Sequence, residues 1–212
     1  MYNLPYHKEK NEQVINEFMN QHPFVFLIGC DSENKPVATQ VPVFIEEKDG
    51  RKFIRGHIMK KTDHHIAFLH NKNVLVVFSG HHTYVSATSY SNPRLASTWN
   101  YMSVHAKGLI RYLADKDLEE VLQKTSLHFE NYNPESPTIF DNLPLEFRQK
   151  VMQAIVAFEI EVTEMDHVFK LSQDRDTKSY HNIIEKLREQ GENGQVVATE
   201  MEKRTKELFP DE

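Results

Sequence analysis

The residues best placed to do chemistry are basic ones gathered at one turn. Lys60 and Lys61 directly precede Thr62 and Asp63, either of which is a good N-cap for a short helix over residues 64–71. A helix start carries free N–H groups and a partial positive charge, so neighbouring lysines are unfavourable there unless an anion sits among them. Arg55 and His57 alternate onto one face of the strand expected over 52–57 and converge on the same turn. A phosphate would satisfy all of these groups together. The alternative is that the lysines are solvated and Asp63 caps the helix unaided. The seven glycines form neither G-x-G-x-x-G nor a Walker loop, which excludes a Rossmann dinucleotide site and a P-loop.

Other chemistry has less support. The pairs His64-His65 and His81-His82 point their side chains apart and no H-E-x-x-H occurs, so no metal site is expected. Cys30 is the single cysteine, follows an apolar run and reads as a buried structural thiol in a reducing compartment. Ser86, Ser89 and Ser103 lie near histidines without a nucleophile elbow around them. Tyr84, Tyr90, Trp99 and Tyr101 fall in a long loop expected over 81–101, where they could stack on a planar ring, pack in a core or meet a second chain.

The chain of 212 residues carries a net charge of -6, which argues against a surface built for nucleic acid. The distribution is uneven. Residues 51–110 hold eight Lys and Arg against one acid, Asp63, while residues 1–50 hold four against eight and residues 111–212 thirteen against twenty-two. Either a small anion belongs to the basic centre or the acidic flanks fold back over it.

The elements that must position these groups follow from periodicity. Val14, Ile15, Phe18 and Met19 mark an amphipathic helix over 7–21. Strands are expected at 24–29, 36–45, 52–57, 74–78, 103–113, 155–162 and 168–171, with Gly80 ending the fourth, Pro42 marking an edge or bulge, and Asp49-Gly50 a tight hairpin. Helices are expected near 115–130, 145–154, 178–190 and 196–209. Some seven antiparallel strands with peripheral helices make an α+β protein on a closed or nearly closed barrel. The longest apolar runs, 24–28 and 74–78, are far below the roughly 20 residues of a membrane span. No apolar export segment opens the chain, so a cytoplasmic protein is expected.

Several segments, in order, carry a family resemblance: Pro36-Val37-Ala38-Thr39-Gln40-Val41-Pro42, Arg55-Gly56-His57, Val76-Val77-Phe78-Ser79-Gly80 through Tyr84-Val85-Ser86, Thr98-Trp99-Asn100-Tyr101, Val104-His105-Ala106 and Lys170-Leu171-Ser172-Gln173-Asp174-Arg175. The chain resembles the PaiB-like FMN-binding negative transcriptional regulators, which belong with the flavin-reductase-like and pyridoxamine-phosphate-oxidase-like split barrels. The resemblance implies an antiparallel split β-barrel over residues 1–175 with inserted helices, a C-terminal helical extension over 176–212, and FMN at a homodimer interface. By position, Thr39, Gln40, Val41 and Pro42 would line the ring. Arg55, His57, Lys60 and Lys61 would hold the phosphate, and Trp99, Asn100, Gln173 and Arg175 would close the pocket.

The chain departs from the family pattern at Thr62-Asp63-His64-His65, where many members have Asn-Pro-x-Trp, and at Ala87-Thr88-Ser89, which lacks the usual Pro and Trp. The resemblance implies an FMN-dependent reductase or oxidase, or a repressor acting on DNA directly or through a partner. A cofactor-free interaction module is the third reading. Acidic termini and the lack of a basic recognition helix count against direct DNA binding.

Overall fold

A computed structural model describes residues 1–210. The elements are α1 (Glu12–Gln21), β1 (Phe24–Cys30), β2 (Pro36–Lys48), β3 (Arg51–Met59), α2 (Asp63–His70), β4 (Asn73–Val85), β5 (Thr98–Tyr112), α3 (Asp115–Phe129), α4 (Leu145–Ala154), β6 (Ile155–Lys170), α5 (Thr177–Arg188), α6 (Glu192–Glu202) and α7 (Thr205–Leu208). The strand order is β1-β2-β3-β6-β5-β4, and β1 pairs antiparallel with both β2 and β4, so the ring closes. The expected α+β class with an antiparallel barrel is what the chain adopts, on six strands.

The missing seventh strand is explained by length. Residues 168–171, expected to stand alone, extend β6, which runs to Lys170. Gly80 does not end β4 either. That strand continues through His81 and His82 to Val85, which shortens the expected aromatic loop to residues 86–97. The expected final helix is broken into α6 and α7. The β2–β3 hairpin turns on Asp49 and Gly50 with φ of 54° and 70°, the left-handed pair that a two-residue hairpin of this twist requires.

Contacts divide the chain into two compact units. One comprises residues 19–78 and 105–165. Its barrel interior is filled by alternate residues such as Val25, Leu27, Val41, Val43, Ile54, Ile58, Val76, Phe78, Phe158 and Ile160, all buried. Outside the strands, Leu118, Val121 and Leu122 of α3 pack with Phe140 on Ala157 of β6 and Phe44 of β2. The other unit comprises residues 1–18, 79–104 and 166 onward. Its core includes Tyr180, Ile183 and Leu187 of α5 and Val197 and Met201 of α6, with the Tyr180 hydroxyl donating to the Met201 carbonyl at 2.8 Å.

Candidate functional site

Along β2 the ladder changes partner. Residues 36–42 pair with β1, and pairing to β3 begins only at Val43, opposite Gly56. Pro42 sits at this change, where its missing N–H costs no ladder bond on the second side. Gly56 closes the seam: a Cβ there would lie 2.9 Å from both the Pro42 carbonyl oxygen and the Phe158 ring. Beyond it β2 and β3 part. No β3 partner is found among the described residues for 36–42, and that edge faces away from β1. Of the expected ring-lining residues, Val41 points into the core, whereas Gln40 and Pro42 alternate outward with Ala38 and Thr39 is half-buried.

The turn after β3 holds the other candidates. Thr62 caps α2, accepting from the His65 N–H at 3.3 Å and donating to the Met59 carbonyl at 3.0 Å. Lys61 takes a left-handed conformation, φ 67°, and its N–H donates to His65 Nδ1 at 3.3 Å. The Lys60 N–H donates to the Ala154 carbonyl at 2.9 Å. No carboxylate lies within ion-pair distance of either lysine side chain among the described residues. Asp63 is exposed and accepts from the His64 N–H at 2.8 Å. The His65 ring packs 4.9 Å from Tyr112, whose hydroxyl donates to the His65 carbonyl at 2.9 Å. Burial pushes the Tyr112 hydroxyl far up and lowers His65, to which His64 and Lys60 add. α2 packs on β1 and β2, with Phe68 against Gly29, so the turn is anchored beside the opened edge.

His57 and Arg55 share the outer face of β3 but differ in state. Burial lowers the pKa of His57 and keeps it neutral, and its Nδ1 is buried with no hydrogen-bond partner among the described residues. Arg55, in contrast, is fully engaged. It pairs with Glu46 at 3.0 Å and hydrogen-bonds Glu159, which also binds Arg111 at 2.5 Å, while Lys124 joins Glu46 to Glu120. Three carboxylates and three cations thus form a neutral ladder over β2, β3, β6, β5 and α3. Arg51, Lys52 and Lys107 likewise pair with Glu161, Glu47 and Glu164. The acidic flanks do fold back over much of the basic segment, and Lys60 and Lys61 are spared.

The remaining candidates belong to the other unit. Asn100 is fully buried, accepts from Ser172 Oγ at 3.0 Å and contacts Met201 Sδ. Gln173 bridges the Leu171 N–H, the Phe169 carbonyl and His7 Nδ1. Arg175 pairs with Asp174 at 2.8 Å and lies over the Tyr90 ring. These three side chains stabilise the turn after β6, where Ser172 adopts a left-handed φ of 60°. Trp99 is exposed at the start of β5. Residues missed from the sequence are Glu46, Glu159 and Arg111. Their pairing depends on strand neighbours that alternation alone cannot specify.

The strand order, with β2 and β3 parting beside Lys60 and Lys61, defines an α+β protein built on an antiparallel barrel. Residues 1–164 match the family model described as "Putative FMN-binding domain", and the chain belongs to that FMN-binding family. It is 31% identical over 207 residues to Protease synthase and sporulation protein PAI 2 of Bacillus subtilis (strain 168), covering 97% of this chain and 99% of that one. FMN is the cofactor this membership assigns. Among solved structures, the FAD and heme binding protein from Mycobacterium smegmatis aligns with a TM-score of 0.56 at 14% identity, over 76% of this chain and 72% of that one. The flavocytochrome Anf3 from Azotobacter vinelandii aligns with a TM-score of 0.55 at 16% identity, over 85% and 78%. At those identities the likeness is one of fold. Among the described residues no helix is long and apolar enough to cross a membrane.

Proposed function

We propose that the chain is a split-barrel FMN protein that works as a homodimer, with the flavin held where β2 and β3 part. The observation that carries this reading is the opened β2 edge beside the buried Nδ1 of His57 and two lysines, none of which has a hydrogen-bond or carboxylate partner for its side chain among the described residues. Lys60 and Lys61 would neutralise the phosphate, and His57 would donate to it from Nδ1. Gln40 and Pro42 would border the ring by their outward side chains, Thr39 and Val41 by their backbone. Arg55, locked between two carboxylates, would hold the strand rather than the phosphate. Asn100, Gln173 and Arg175 would likewise serve the turn after β6. Bound FMN supplies reversible electron transfer; the chain supplies position, charge and exclusion of water.

The test is binding of FMN against riboflavin, which lacks the phosphate. Replacing both lysines (Lys60→Ala with Lys61→Ala) should weaken FMN about 100-fold or more, the scale of two charge-assisted contacts, and leave riboflavin unchanged. Equal losses for both ligands would remove the phosphate assignment.

The dimer rests on the outer face of β1. Phe24 and Phe26 are 60% and 42% exposed, beside Pro42, Gln40 and Val77 on the flanking strands. Aromatic surface of this kind on a sheet is commonly covered by a two-fold copy. Phe26→Lys should shift sedimentation from dimer to monomer; a monomeric parent chain would end this reading. A regulatory role would run through a protein partner, because Arg51, Lys52, Arg55 and Lys107 are spent on internal ion pairs. A gel shift that weakens steeply with salt would show direct DNA binding instead.

A further inference from the structure

The unit formed by residues 1–18, 79–104 and 166 onward carries an open groove of about 450 Å³, lined by His82, Thr83, Tyr84, Trp99 and the turn from Gln190 to Gly194. Trp99, the single tryptophan, is 52% exposed, and Tyr84 is 48% exposed. Their ring centroids lie 6.0 Å apart with planes at 68°, so the two rings make adjoining walls. His82 adds a third ring, 5.8 Å from Trp99.

The facing turn is tied down. Thr83 donates to Gln190 Oε1 at 2.6 Å, His81 Nδ1 lies 2.7 Å from Asn193 Oδ1, and a Cβ on Gly194 would lie 2.6 Å from that of Gln190. On this wall Glu192 is exposed and has no cation partner among the described residues. The ammonium of Lys170, which donates to the Trp99 carbonyl at 2.8 Å and to Thr98 Oγ1, is already committed.

Aromatic faces present negative potential, and the Glu192 carboxylate in the same lining adds a full charge. Together they suit a large, weakly hydrated cation better than an anion or a neutral molecule. A groove of this volume accepts more than a bare ammonium group. We propose that it binds an organic ammonium cation, its charged head against Trp99 and Tyr84 and near Glu192. None of the residues assigned above to the flavin ring or its phosphate lines this groove.

The probes are choline and its uncharged carbon isostere, 3,3-dimethylbutan-1-ol, titrated into the full chain. Trp99 gives one fluorophore and one indole N–H cross-peak, so both readouts report this groove directly. Choline should give a saturable change in both that equal sodium chloride does not reproduce. The isostere should bind about 5- to 30-fold more weakly, the scale of a cation–aromatic contact. Tyr84→Leu, which keeps the apolar bulk, and Glu192→Gln should each weaken choline several-fold and leave the isostere unaffected. The proposal is overturned if choline moves the indole signal no more than salt does, or if the isostere binds as well as choline. It is overturned equally if both variants retain the parent affinity. FMN-to-riboflavin discrimination should not change in either variant, so failure here leaves the phosphate assignment standing.

Discussion

Replacing Arg55 by methionine separates a structural cation from a ligand-binding one. Arg55 sits between Glu46 and Glu159, and the Glu159 side chain is only 5% exposed. Stripping one partner from a buried ion pair typically costs about 3–5 kcal/mol. Here Arg111 still reaches Glu159 and Lys124 still reaches Glu46, so the expected loss is about half that, near 2 kcal/mol. For a chain of this size that lowers the melting temperature by about 4–8 °C. The pH dependence adds a second readout. Burial alone would raise the Glu159 carboxyl, but hydrogen bonds from Arg55 and Arg111 outweigh it and hold the carboxyl below its ordinary value. Its stabilisation is therefore complete above pH ~4.5 and is lost as pH falls further. In Arg55→Met one of the two cations opposing burial is gone and Glu159 protonates more readily, so the gap from the parent should narrow toward pH ~4. Circular dichroism melts at neutral and acid pH measure both effects, and FMN-to-riboflavin discrimination should stay at the parent value. A variant that melts with the parent but loses that discrimination would refute the reasoning and return Arg55 to the phosphate.

Other perturbations follow from the same geometry. The N-terminal segment is pinned by two neutral histidines: the Glu9 N–H donates to His167 Nε2 at 3.0 Å, and His7 binds Gln173. Burial lowers both histidines, so their contribution is whole above pH ~6.5 and is lost as pH falls below it. Hydrogen exchange at the Glu9 amide, corrected for intrinsic rate, should lose protection across that range. Unchanged protection would contradict the pinning. Gly108→Ala would drive a Cβ into the Glu161 carbonyl and to 2.6 Å from the Ile160 side chain, so it should cost about 3 kcal/mol or more by denaturant unfolding. Gly191→Ala, with nothing within 4 Å of its Cβ among the described residues, should cost about 1 kcal/mol or less. Asp176 caps α5 and also binds Ser91, and its hydrogen bonds to the Ser179 hydroxyl and N–H hold it down at about 2. Its stabilisation is present above pH ~4 and disappears toward pH 2, and Asp176→Asn should flatten that part of the acid unfolding curve.

Much of the architecture can be read along the chain because local rules govern it. Alternation of Val25, Leu27, Val41 and Val43, the Asp49-Gly50 turn and the Thr62 cap each act over a few residues, and the elements form where they indicate. The errors fall where a partner strand overrides a local signal. Gly80 is carried through β4 and residues 168–170 are absorbed into β6, since neighbouring strands supply backbone partners that no local residue announces. The basic centre was equally visible as composition, yet its division into paired and unpaired cations was not. Arg55 and Lys60 are five residues apart and look alike as charges. Only the sheet order, which sets β6 and its Glu159 beside β3, neutralises one, and only the parting of β2 from β3 at Pro42 leaves an open edge beside the turn that carries the other. Residue types and spacing therefore determine the elements and the family, while long-range strand pairing decides which charges remain free to bind.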